Sequence, residues 1–290
     1  MRTNQTVCFI GGAGHSGSTL LGLALGSHPA VFYGGEARKS IFFGNEKKPL
    51  RKRMCKVCGP ECKVWNHLVV DAETDLYEAL SRRTGRPVVV DSTKSLEWLT
   101  EQSALVASRG AKLVLLFLSR DGRAVVSSGL RKYPEQSATE HAEKWMSQMK
   151  GTEQFAATFP GTVVRVRYEE LVTAPEQTLR RLAEVLGVPF DPAMLEPFES
   201  EQHPLGGNAG TQSLLQKTQT KADGAVPISG SKKEYYASHP KSFVLDLRWK
   251  RELPAAALAE FEAVAAEMNR AYAWDEEPAA LEPGAEKASP

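Results

Sequence analysis

Short apolar runs, barely broken by polar residues, recur along the chain at Thr6–Ile10, Pro87–Asp91, Lys112–Ser119 and Thr162–Tyr168. The second and third scarcely alternate, which is how a strand reads when helices cover both faces of a parallel sheet. Between and after these runs, apolar residues return every three or four positions. Pro175 opens one such stretch at its first turn; Leu179, Leu182, Ala183 and Leu186 form its stripe, and Gly187 marks its stop. Ala142, Trp145, Met146 and Met149 form a second stripe, and Pro254 opens a third with Leu258, Phe261, Ala265, Met268 and Tyr272. These stripes read as core. The order β-α-β-α-β predicts an α/β fold, a single three-layer domain with a central parallel sheet over residues 1–275. Two stretches interrupt it. Residues 37–70 are a basic, cysteine-containing insertion, and residues 199–242 lack periodicity and read as an irregular loop or lid. The tail, 276–290, is rich in Pro, Ala and Glu and reads as disordered.

Composition narrows this picture. With 290 residues, 42% apolar and 24% charged, the chain can bury a sizeable core, which excludes a mainly disordered or fibrous protein. Thirty-six Lys and Arg against 35 Asp and Glu leave a net charge of +1, so no nucleic-acid partner is expected, although a local basic pocket fits. No apolar run approaches the roughly 20 residues that span a bilayer. Met1–Gly14 lacks the apolar region of a secretory signal. The expectation is a cytoplasmic protein with no membrane partner.

The first run leads into Gly11-Gly-Ala-Gly14-His15-Ser16-Gly17-Ser18-Thr19-Leu20. A strand, a glycine-rich turn and an apolar helix build a phosphate loop, in which backbone N–H groups and the helix N-terminus face an anion. Gly14 to Thr19 are the candidate contacts. Gly12 and Gly17 have the spacing of the nucleotide phosphate loop, but Ser18 stands where that loop has the Lys that grips the β- and γ-phosphates. This counts against a kinase or NTPase and for another phosphorylated ligand. A close-packed β-α turn is the alternative.

The third run ends in Ser119-Arg120-Asp-Gly-Arg-Ala-Val-Val-Ser127-Ser128-Gly-Leu-Arg131-Lys132. Ligands bind beyond the carboxyl ends of parallel strands, so Arg120 emerges on the same edge as the phosphate loop. Ser128 lies two helical turns on and can share its face. A guanidinium fork with a hydroxyl suits a phosphate monoester, with Arg131 and Lys132 adding charge. The alternative is a solvated basic helix.

Two phosphate-type sites on neighbouring strands resemble the sulfotransferase superfamily that uses 3′-phosphoadenosine 5′-phosphosulfate. The first loop is similar to its 5′-phosphosulfate loop, and Leu118–Ser128 to its 3′-phosphate segment. Arg167-Tyr168-Glu-Glu-Leu looks like its later Tyr-Glu segment, whose Tyr lies near the adenine; Trp249-Lys-Arg-Glu-Leu and Tyr272-Ala-Trp274 resemble its C-terminal pattern. The closest flavour is the tyrosylprotein and bacterial branch, where a segment like Val31-Phe-Tyr-Gly-Gly-Glu36-Ala-Arg38 supplies a catalytic Glu.

The resemblance implies a P-loop-like nucleotide site and a sulfotransferase that moves a sulfuryl group to a hydroxyl of an alcohol, phenol, sugar or tyrosine by in-line displacement. Such catalysis rests on positioning and electrostatics. Glu36 is then the candidate base for the acceptor hydroxyl, partly desolvated and so raised in pKa; pairing with Arg38 or Lys39 is the alternative. The family usually has Lys or Arg where His15 stands. His15 could serve as a cation or as a neutral N–H donor, and Lys94 could supply the permanent charge.

Cys55-Lys-Val-Cys58-Gly-Pro-Glu-Cys62-Lys-Val-Trp65-Asn-His67 has the look of a zinc knuckle. Three thiolates and His67 would complete a structural tetrahedron; reduced thiols packed on Trp65, or a disulfide, are the alternatives. Against the sulfotransferase stand a phosphate-loop small-molecule kinase and a non-catalytic nucleotide- or RNA-binding module using the basic insertion.

Overall fold

The computed structural model describes residues 2–68, Val70, 74–216 and 239–275. Five strands, β1 (Thr6–Gly11), β2 (Val31–Tyr33), β3 (Val88–Asp91), β4 (Lys112–Ser119) and β5 (Thr162–Arg167), form one sheet in the order β2-β3-β1-β4-β5. Every pairing is parallel; β1 and β4 run in register from Thr6↔Lys112 to Gly11↔Phe117. The four predicted runs are β1, β3, β4 and β5. The sequence did not announce β2, whose three residues are too few to show a pattern.

The helices are α1 (Ser18–Gly26), α2 (Leu76–Thr84), α3 (Leu96–Ser108), α4 (Gly122–Lys132), α5 (Ala138–Thr158), α6 (Tyr168–Thr173), α7 (Pro175–Leu186), α8 (Ala209–Gln216), α9 (Trp249–Glu252) and α10 (Ala255–Asn269). Pro175 sits in the first turn of α7, and Gly187 ends it in the left-handed conformation at φ 81°, as predicted. The Trp145 stripe of α5 packs on Phe261 and Ala265 of α10 and on Phe117 of β4, so it is core. The larger core fills the other flank, around β1, β3, α1, α2 and α7.

Because β1 is flanked by β3 on one side and β4 on the other, a crevice opens beyond its carboxyl end. The polar residues predicted for function lie at that end. None of the described helices is long and apolar enough to cross a membrane. The expected tail, 276–290, and residues 217–238 of the expected lid lie outside the described residues.

Candidate active site

The phosphate loop is shaped by close approach. Gly12 has φ 115°, and a Cβ there would lie 2.1 Å from the Leu118 carbonyl oxygen. Gly17 has φ 89° and would put a Cβ 2.5 Å from the Tyr168 ring. Only glycine fits either position. No side chain caps α1 and no carboxylate lies in its first turn, so the positive end of the helix faces the crevice unopposed. The Gly14 N–H donates to Gln148 Oε1 from α5 (3.0 Å). Ser16 Oγ and Arg120 Nε are buried without a partner, a donor set that fits an anion.

The crevice encloses about 240 Å³ and is lined by Gly14, His15, Gly17, Ser18, Thr19, Glu36, Lys94, Arg120, Ser128, Lys132 and Tyr168 among the predicted residues. Arg120 is nearly buried. It donates to the carbonyls of His15 (3.0 Å) and Asp246 (3.1 Å), and lies 4.2 Å from the Tyr168 ring centroid. The Tyr168 hydroxyl donates to the Val244 carbonyl (2.8 Å), which leaves the ring face over the loop. Ser128 and Lys132 share one face of α4 at i, i+4. Arg131 turns from the crevice, because Ser127 Oγ and Glu252 Oε2, each 2.9 Å away, claim its guanidinium.

His15 is itself left-handed, at φ 65°, and its Nδ1 lies 3.2 Å from Ser128 Oγ. Burial, then the cations Lys132 and Arg120, lower its pKa to about 4, so the ligand-free imidazole is neutral at pH 7. The folded pKa lies below the unfolded value, so the unfolded chain takes up this proton first. The stability that His15 contributes is present above about pH 6.5 and is lost as pH falls through about 4. The imidazole should titrate near 4 by NMR in ligand-free protein; a midpoint near 6.5 would show that neither its burial nor its cationic neighbours are felt.

The backbone beside Glu36 and the backbone beside Lys94 are held by one carboxylate. Asp91, fully buried at the end of β3, accepts from the Ala37 N–H (3.1 Å) and the Thr93 N–H (2.8 Å) with one oxygen. Its other oxygen accepts from the Tyr77 hydroxyl and Trp98 Nε1, both at 3.0 Å. The loops carrying Glu36 and Lys94 are thereby tied together. Glu36 is not desolvated as expected. It is about a third exposed and ion-paired to Lys39 at 2.6 Å, the alternative raised by its basic neighbours. Lys94 donates to the Ile10 carbonyl (2.9 Å), and burial, partly offset by Glu36 and Asp91, lowers its pKa to about 8.

Gly207, Asn208, Thr211 and Leu214 of the expected 199–242 loop also line the crevice, whereas Phe198, Val244, Asp246 and Arg248 escaped the sequence reading. Burial opposes the charge of Asp246, but Arg248 and Arg120 outweigh it and hold the carboxyl well below the usual range. The four cysteines are free. Cys55, Cys58 and Cys62 do converge, but on His203 rather than His67. The correction has a local cause: His67 has φ 55° in a turn whose carbonyl accepts from Arg83, and the cluster's fourth side comes from the distant 199–208 segment.

A family model described as "Sulfotransferase family" matches residues 8–192, more than half of the chain. A putative protein-tyrosine sulfotransferase of Caenorhabditis briggsae is 26% identical over 67% of this chain and 70% of its own length. The protein-tyrosine sulfotransferase of Drosophila melanogaster is 27% identical over 68% of this chain, which spans only 41% of that relative. Among solved structures, the sulfotransferase domain of the Synechococcus PCC 7002 olefin synthase shares the fold at TM-score 0.60 and 19% identity, covering 96% of this chain and 98% of its own. The sulfotransferase domain of the curacin biosynthetic pathway does so at 0.58 and 19%, covering 92% and 98%.

Proposed function

The chain belongs to the sulfotransferase family, and we propose that it transfers a sulfuryl group from 3′-phosphoadenosine 5′-phosphosulfate to a phenolic hydroxyl such as that of tyrosine. The observation that carries this reading is a single crevice with an anion loop and Arg120, Ser128 and Tyr168 on one side, and Glu36 and Lys94 on the other. Family membership disfavours the kinase and RNA-binding readings. The donor's 5′ end would lie on the loop amides and Ser16, its 3′-phosphate near Arg120 and Ser128, and its adenine near Tyr168. Phe198 and Leu214 offer an apolar wall suited to an aromatic acceptor. The acceptor's identity also follows the names of the relatives.

In this arrangement Glu36 accepts the hydroxyl proton as the acceptor oxygen bonds to sulfur and the bond from sulfur to the leaving phosphate oxygen breaks. Lys94 and the loop N–H groups balance the charge left on that phosphate, and neutral His15 donates a hydrogen bond rather than a charge. Glu36, about a third exposed, then releases that proton to solvent before the next turnover. A screen offering labelled sulfate donor with a tyrosine peptide, an aliphatic alcohol and a sugar tests the reading. Transfer to none of them, or an ATP-dependent phosphorylation instead, would overturn it.

The donor site carries its own prediction. Arg120→Ala should weaken binding of 3′-phosphoadenosine 5′-phosphate by about 1.5–3 kcal/mol, the range for a hydrogen bond to a charged group. Binding of adenosine 5′-phosphosulfate, which has no 3′-phosphate, should change little in calorimetric titration. Equal losses would mean that Arg120 acts only through its contacts with Asp246 and Tyr168.

A further inference from the structure

We propose that Cys55, Cys58, Cys62 and His203 bind one structural zinc ion, which staples the cysteine-bearing insertion to the wall of the active-site crevice. The four ligand atoms lie within 4.8 Å of one another. His203 Nδ1 is 3.1 Å from Cys58 Sγ and 3.4 Å from Cys62 Sγ. A zinc tetrahedron with its usual bond lengths would set ligand atoms roughly 3.5–3.8 Å apart, so small side-chain adjustments suffice.

Three further features belong to a metal site rather than to thiols that merely pack. Cys55 and Cys58 sit on a tight knuckle: Cys55 pairs with Gly59, Gly59 is left-handed at φ 79°, and the Cys58 N–H points at Cys55 Sγ (3.4 Å). The far nitrogen of His203, Nε2, lies 3.3 Å from Glu201 Oε1, which is itself held by Lys63 at 3.0 Å. A carboxylate on the distal nitrogen fixes the tautomer that leaves Nδ1 free to ligate. The Trp65 indole N–H donates to the His203 carbonyl (2.5 Å), fixing the backbone of the fourth ligand. Three soft thiolates and one imidazole select zinc over harder cations, and four protein ligands leave no open position for chemistry.

The staple reaches the active site through the residues that follow His203. The Pro204 carbonyl accepts from the Lys56 N–H (2.9 Å), and the Leu205 N–H donates to the Gly34 carbonyl (3.0 Å). Gly206 packs so tightly on the Glu36–Lys39 pair that a Cβ there would come within 2.8 Å of Glu36 Cβ. The Asn208 N–H donates to Thr19 Oγ1 (2.8 Å) in the first turn of α1. Metal at His203 therefore fixes the backbone that seats Glu36.

The test uses the full chain, untagged, purified under reducing conditions, and reads metal rather than turnover, so it stands apart from the proposed transfer reaction. Elemental analysis should find about one zinc per chain, and cobalt(II) taken up in its place should give a tetrahedral thiolate spectrum. Cys62→Ser and His203→Ala should lose most of the metal, whereas His67→Ala should keep it. Should His203→Ala fail to fold, chelation of the wild-type protein should raise hydrogen exchange at the 203–208 amides above that of β4. Reduced protein that carries no metal and takes up none on zinc titration would overturn the site. So would metal that is lost with His67→Ala and kept with His203→Ala.

Discussion

Glu36→Gln should lower turnover by about 10²–10⁴-fold, the usual contribution of a positioned base, while leaving affinity for 3′-phosphoadenosine 5′-phosphate nearly unchanged. The substitution keeps the size of the side chain and much of its hydrogen bonding, and removes only its capacity to take a proton. The geometry makes the two readouts separable. Glu36 lines the crevice with Lys94 but immediately precedes the 3₁₀ turn Ala37–Phe42, and Asp91 and Thr93 hold the backbone of that turn through Ala37 and Arg38. The loop amides, Arg120 and Tyr168 come from other elements. Lys39→Met is the useful control, because it removes the ion-pair partner at 2.6 Å without removing the proton acceptor. Pre-steady-state measurement of the transfer step, with nucleotide affinity measured alongside, decides the matter. Near-normal turnover in Glu36→Gln would remove it as the base and leave neutral His15 as the acceptor to test next.

The sequence revealed what local chemistry dictates and missed what the fold brings together. β3 and β4 were readable because strands covered on both faces need unbroken apolar runs. The phosphate loop was readable because Gly12 and Gly17 answer a backbone demand that no other residue meets. Ser128 and Lys132 share a face by spacing alone, and the same spacing turns Arg131 toward Glu252. The fourth member of the thiol cluster was unreadable, since His203 follows Cys62 by 141 positions in an aperiodic stretch, and nearby His67 satisfied the local pattern instead. Gln148 escaped because a lone polar residue beside the buried Trp145–Thr152 side of α5 carries no mark in the sequence of its contact with Gly14. Asp91 did leave a signal: a carboxylate closing the run Val88–Val90 is costly to bury unless it organises donors around itself, and here it gathers four. Asp246 and Arg248 left a weaker one, as charged residues just before the Trp249 pattern.

Lys94→Met should cost about 10²–10³-fold in turnover, comparable to removing one preorganised donor from a charge-stabilising site. Lys94 is the candidate cation on the Glu36 side of the crevice, since His15 is neutral at pH 7 in the ligand-free protein. Its own charge is conditional. Burial, opposed by Glu36 and Asp91, brings its pKa to about 8, so the free enzyme loses this charge as pH rises through that value. kcat/KM reports the free enzyme and should decline above about pH 8, whereas kcat reports the loaded enzyme. A bound polyanion favours the ammonium form, so the fall in kcat should come at higher pH. Lys94→Arg separates charge from position. A guanidinium stays protonated throughout, so the alkaline decline in kcat/KM should vanish even if the variant is slower at pH 7 because its planar fork cannot reproduce the single bond to the Ile10 carbonyl. The same alkaline decline in wild type and Lys94→Arg would assign the titration to another group and reduce Lys94 to a positioning residue for the phosphate loop.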